Sequence, residues 1–133
     1  MRVLIVEDEF LLAMDAQAMV EALGHEVVGP AGSYQAALEA VDSAELALVD
    51  VRLADGHTGP DVAAWIAQNC HVTVVFATGN PEAVYASTHA AGVLTKPYTQ
   101  EQIAEALELA AACHAGRELP RTRFVTRLPI TIQ

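Results

Sequence analysis

Three apolar runs in this chain do not alternate with polar residues: Val3-Leu4-Ile5-Val6, Leu46-Ala47-Leu48-Val49 and Val72-Thr73-Val74-Val75-Phe76-Ala77. Each has the length of a strand, and the first and third are rich in β-branched residues. None offers a polar face to water. A strand buried on both sides belongs in the middle of a parallel sheet with helices above and below it. With two shorter runs, at residues 25–28 and 92–95, the strands begin at residues 2, 25, 46, 72 and 92. That recurrence is the spacing of consecutive β-α units.

Helices are expected in the gaps. Residues 10–23 carry apolar side chains at 12, 16, 19, 20 and 23, a helical stripe, and Gly24 ends it. Ser33 is an expected N-cap for a helix to about residue 41. Thr58-Gly59-Pro60-Asp61 and Asn80-Pro81-Glu82 each read as a loop entering a helix with proline in its first turn. Thr99 with Gln102 spells a capping box, and Ile103, Ala106, Leu107 and Ala110 form the inward stripe of the last helix. Right-handed crossovers between five such units predict an α/β fold, a doubly wound parallel sheet with helices on both faces.

Composition narrows the function. Seventeen acids oppose seven bases, a formal net charge of −10, and 53% of residues are hydrophobic. A core can form, while sequence-independent binding to nucleic acid or anionic lipid lacks the clustered positive charge it needs. The charge is uneven: residues 1–116 hold sixteen acids and three bases, residues 117–133 one acid and four arginines. The division expected is therefore a body at 1–116 and a basic tail at 117–133, either disordered or an edge strand limited by Pro129. No signal peptide or membrane span is expected, because Glu7-Asp8-Glu9 stops the first apolar run and the longest uncharged stretch is broken by glycine and proline. Cys70 and Cys113 form neither a disulfide framework nor a metal spacing. The expectation is a cytoplasmic protein with no membrane and no nucleic-acid partner.

In doubly wound sheets ligands bind at the carboxyl ends of the strands. There the chain places Glu7 and Asp8 after the first strand, Asp50 at the end of the third, Thr78 at the end of the fourth and Lys96 after the fifth. Neighbouring carboxylates repel, and a bound cation relieves them. An all-oxygen donor set without His or Cys suits Mg²⁺, which takes one or two carboxylates plus a phosphate oxygen. One carboxylate then remains to attack a phosphoryl group, and Asp50 is the candidate. Lys96 and Thr78 have the right chemistry to meet the charge on the transferred group.

Four motifs now carry a resemblance: Leu4-Ile5-Val6-Glu7-Asp8-Glu9, Leu48-Val49-Asp50-Val51-Arg52-Leu53, Phe76-Ala77-Thr78-Gly79 and Thr95-Lys96-Pro97-Tyr98. Over about residues 1–115 the chain resembles the receiver domain of bacterial two-component response regulators. The resemblance implies a five-stranded sheet of order 2-1-3-4-5. It makes Asp50 the phospho-acceptor, with Thr78 and Lys96 against the phosphoryl group. Mg²⁺ is then held by Glu7, Asp8, Asp50 and the backbone carbonyl of Arg52, with Asp8 a direct ligand. It also implies a cis Lys96-Pro97 bond. The implied partners are a histidine kinase or phosphotransfer protein and a downstream protein. A homodimer is expected through the face of the fourth helix, fifth strand and fifth helix, or through the tail.

Two positions depart from the family pattern. Val93 stands where most receivers carry a switch aromatic, and Ala54 where most carry a proline. Phe76-Ala77-Thr78-Gly79 with Val93 resembles the FAT GUY branch, whose members are single-domain proteins or are joined to sigma-factor mimics. The following Tyr of that signature is absent, and Asn80-Pro81 stands there. Gly79 is expected to let the backbone after Thr78 rearrange without an aromatic rotation. His57 is the one histidine expected near the site, and Trp65 is expected to pack in the core. The leading function is a single-domain response regulator that catalyses only its own phosphorylation and dephosphorylation. The alternatives are a phosphate sink or pure interaction module, a phosphohydrolase, which would need Asp-x-Asp after the first strand, and a flavin binder, whose phosphate the acids would repel.

Overall fold

The computed structural model describes residues 1–131 of the 133. The elements run β1 (Arg2–Val6), α1 (Phe10–Ala22), β2 (Glu26–Ala31), α2 (Tyr34–Ala40), β3 (Leu46–Val49), α3 (Gly59–Asn69), β4 (Thr73–Thr78), β5 (Gly92–Thr95), α4 (Gln100–His114) and β6 (Thr126–Arg127). Short 3-10 turns occupy Val41–Ser43 and Pro81–Val84. The sheet order is β2-β1-β3-β4-β5-β6, parallel throughout except for the antiparallel β6. Among the described residues no helix is long and apolar enough to cross a membrane.

The non-alternating runs have the cause inferred for them. Leu4 and Val6 of β1 face one core, with Ala37, Val62, Ile66 and Phe76. Val3 and Ile5 face a second core, with Val20, Leu94, Ile103 and Leu107. The sheet thus separates an α2–α3 layer from an α1–α4 layer, and the central strands β1, β3 and β4 bury both faces. Ser33 caps α2 by accepting from the Ala36 N–H, and the Thr99–Gln102 capping box is present on α4.

Three expectations are corrected. The sheet has six strands rather than five, because the tail adds β6 to the free edge of β5. The helix expected after Asn80-Pro81 is only the turn Pro81–Val84. Asn80 gives its N–H to the Thr78 hydroxyl, and Ser87 accepts from the His89 N–H. Such local bonds, with weak helix formers at Ser87, Thr88 and His89, favour irregular backbone. The stripe on α1 is also rotated: Ala13, Ala16 and Val20 are buried, whereas Leu12 faces outward. Small side chains let α1 lie close to the sheet, so alanine rather than leucine marks the buried face. The last two residues of the expected tail, 132 and 133, lie outside the described residues.

Candidate functional site

Strand ladders carry the site residues to one edge. The Glu7 N–H bonds the Ala31 carbonyl, the Asp50 N–H bonds that of Val6, and the Lys96 N–H bonds that of Thr78. Each residue is the first beyond its strand, so its backbone is held while its side chain projects past the sheet. The loop after Asp50 is fixed from the other side by α3. Gly59 donates its N–H to the Val51 carbonyl at 2.9 Å. A Cβ on Gly59 would lie 1.9 Å from the Asp50 carbonyl oxygen, so only glycine allows this approach.

The charged groups converge. Carboxylate oxygens of Glu7, Asp8 and Asp50 lie within 4.8 Å of one another. Lys96 Nζ donates to Asp50 Oδ2 at 2.9 Å and also to Glu7 Oε1. Asp50 Oδ1 accepts from the Val51 N–H at 2.7 Å, and Glu7 Oε2 from the Glu9 N–H at 3.3 Å. Glu7 and Thr78 are buried, Asp50 is half-buried and Asp8 is exposed. Burial raises the Glu7 pKa above its ordinary value, against the lowering effect of Lys96. Burial would pull Lys96 down, but its bonds to Glu7 and Asp50 outweigh that and leave it raised. Two of the three carboxylates therefore share one ammonium, and the cluster keeps a surplus of carboxylate over ammonium. Such a donor set, all carboxylate oxygens and open to solvent at Asp8, fits a hard dication.

Thr78 accepts from the Asn80 N–H at 3.1 Å, leaving its own O–H to donate. Arg52 lies in the turn after Asp50 with its side chain exposed, and its guanidinium is 3.2 Å from His57 Nε2. The Lys96-Pro97 bond is cis, as the resemblance implied, and so is Gly29-Pro30. Val93 is buried and paired with Thr126 of β6. Trp65 is half-buried against the α2–α3 core. His71 and His114 stack with ring centroids 4.3 Å apart, away from the site.

Tyr98, quoted above as the end of the last motif with no role at the site, lies against it. It lines a void of about 10 Å³ with Glu7, Asp50 and Lys96, and burial raises its pKa. Its position next to Lys96-Pro97 was the available signal. Beside it, Leu12, Asp15 and Met19 of α1 and Lys96, Pro97 and Tyr98 line a groove of about 340 Å³. Phe10 and Leu11 at the start of α1 are 73% and 75% exposed.

The family model for the response regulator receiver domain matches residues 3–108. The Phyllosphere-induced regulator PhyR of Methylorubrum extorquens is 41% identical over 83 residues, covering 60% of this chain and 31% of its own. The transcriptional regulatory protein PdtaR of Mycobacterium tuberculosis is 33% identical over 117 residues, covering 84% of this chain and 57% of its own. This chain thus spans 31% and 57% of the length of these relatives. Among solved structures, the receiver domain of the Erythrobacter litoralis PhyR response regulator superposes with a TM-score of 0.75 at 30% identity. The match covers 92% of this chain and 95% of that one.

Proposed function

This chain belongs to the response regulator receiver domain family, and from that premise we propose that it accepts a phosphoryl group on Asp50. The donor is a phosphohistidine of a histidine kinase or phosphotransfer protein. As the Asp50 O–P bond forms, the P–N bond of the donor breaks, and the leaving imidazole takes up a proton. Glu7, Asp8, Asp50 and the backbone carbonyl of Arg52 would hold Mg²⁺, which screens the charge on the transferred group. Residues 1–116 form the signalling body and 117–133 the appended tail. The protein regulates by contact with other proteins and turns over no external substrate beyond its phosphodonor.

The observation that carries this reading is the Lys96 ammonium shared by Glu7 and Asp50 at the strand ends. Lysine has three N–H donors, so Lys96 can keep a carboxylate and turn another donor to a phosphoryl oxygen. The Val51 N–H holds Asp50 Oδ1 and so orients the carboxylate. The Thr78 hydroxyl can donate to the same group. The exposed apolar start of α1 and the groove beside Lys96 support docking of the donor protein at this edge.

The test is incubation with Mg²⁺ and a small acyl phosphate donor, read by intact mass. One added phosphoryl group is expected, absent from Asp50→Asn and from metal-free samples. An adduct that persists in Asp50→Asn would place the chemistry elsewhere.

A further inference from the structure

We propose that residues 123–131 are a strap over the outer edge of β5, latched by the Glu105 carboxylate, and that it opens when the segment between Thr78 and Lys96 moves. The coupling to that segment rests on the phospho-acceptor reading above; the latch does not.

The latch is specific in geometry. Glu105 projects from α4, and its Oε1 accepts the N–H groups of Arg123, Phe124 and Val125 at 2.9, 2.8 and 2.9 Å. Its Oε2 accepts from Arg123 as well, at 3.0 Å. Three successive amides around one carboxylate form an anion-binding nest, and bonds to a charged acceptor are the stronger kind.

Past the latch the strap runs along β5. Gly92 pairs with Arg127 and Val93 with Thr126. The Leu128 N–H bonds the Ala91 carbonyl at 3.0 Å, and the Thr131 N–H that of Thr88 at 2.8 Å. Val125 and Leu128 are 4% and 8% exposed and enter opposite cores, one on each side of the sheet. Gly92 makes this possible. A Cβ there would sit 2.8 Å from Val125 Cγ1 and 3.0 Å from the Thr126 carbonyl oxygen.

Every attachment on the sheet side, at 88, 91, 92 and 93, lies between the two residues assigned to the phosphoryl group. A shift of Thr78 or Lys96 therefore shears the strap's bonds. The tail's positive charge adds little hold. Among the described residues the ion pairs involve Arg2 and Lys96, and Arg123 instead lies over the Phe124 ring at 5.2 Å. Opening leaves β5 as an edge with unpaired backbone groups, the kind of surface to which an extended segment of another chain can add.

The experiment is limited trypsin digestion of the full chain with and without Mg²⁺ and an acyl phosphate donor. Cleavage after Arg121, Arg123 and Arg127 is followed by mass, and phosphoryl content is measured on the same samples. Phosphorylation is expected to speed these cleavages about tenfold or more, the effect of losing bonds to a charged group, and Asp50→Asn to abolish the increase. Glu105→Ala is expected to cleave fast with or without donor, and Glu105→Gln, which keeps an acceptor, at an intermediate rate. If Glu105→Ala is cleaved no faster than the wild type, the latch is overturned. Should Glu105→Ala fail to fold, Glu105→Gln decides, and a wild-type rate for it has the same meaning. An adduct with unchanged cleavage overturns the coupling. No adduct sinks the phospho-acceptor reading instead, and the latch then stands or falls on the Glu105 variants.

Discussion

A cluster of carboxylates and a single carboxylate, at different places in this molecule, are provided for in opposite ways. At the carboxyl edge of the sheet, Glu7, Asp8 and Asp50 gather within 4.8 Å, and Glu7 and Asp50 share the Lys96 ammonium. At the edge of β5, the single carboxylate of Glu105 receives three backbone N–H groups. The first cluster is short of positive partners, whereas Glu105 meets three N–H donors, close to the number a carboxylate can accept. Shortage suits a site that takes up a cation. A full set of donors suits a fastening. On the two proposals above, the same residue type serves reaction in one place and closure in the other, and the difference lies in what surrounds it.

The largest expected effect separates the two by steric means. Gly59→Val would drive a side chain into the Asp50 carbonyl and is expected to cost about 3 kcal/mol. For a chain of this size that is a fall in Tm of about 10 °C, read by thermal denaturation. Phosphoryl uptake should fall with it, while cleavage in the tail at temperatures below the transition stays as in the wild type. Gly92→Val does the reverse. It collides with Val125 and Thr126 and is expected to cost about 1–3 kcal/mol. Hydrogen exchange should rise at 125–128 and leave the amides of Val51 and Lys96 protected. Exchange rising equally at both edges would show that the two regions are one cooperative unit.

A smaller effect sharpens the shortage at the first cluster. Mg²⁺ at ten times its dissociation constant should stabilise the protein by about 1.4 kcal/mol. Asp8→Asn should remove most of that gain in a thermal-shift titration. Glu105→Ala should leave it intact.

The smallest effect concerns proton affinity, and its sign differs between Glu7 and Glu105. Burial raises the Glu7 pKa, so Glu7 costs stability as pH climbs from the ordinary glutamate value through its own. At Glu105 burial acts upward too, but the bonds from Val125, Arg123 and Phe124 outweigh it and leave the pKa lowered. Its contribution is present above the ordinary value and is lost as pH falls through its own. Carboxyl NMR titrations should place the two on opposite sides of the ordinary value. Finding Glu105 above it would mean that the nest does not hold the charged form.

Much of this was legible in the residues. The unbroken runs at 3–6, 46–49 and 72–77 announced strands buried on both faces, because no side chain in them could face water. Glu7, Asp8, Asp50, Thr78 and Lys96 were each found at or just past a strand end, since a residue there has its place set by that strand's ladder. The caps at Ser33 and Thr99 were readable because they involve neighbours three residues apart. Local pattern misled at Asn80-Pro81, where a cap and a proline open only a turn. It misled again at Leu12, where the apolar residue is the exposed one.

What only the tertiary structure decided was the pairing of distant segments. Nothing near Glu105 in the chain marks it as an acceptor for amides eighteen to twenty residues later. Likewise, the need for glycine at 92 comes from Val125 and Thr126, which arrive from the tail. Hydrophobic period, capping and turn chemistry act over a few residues and so can be read along the chain. Which edge a tail adds to depends on where an unpaired strand, a gap in side-chain volume and a spare carboxylate coincide in space, and that coincidence exists only once the sheet has formed.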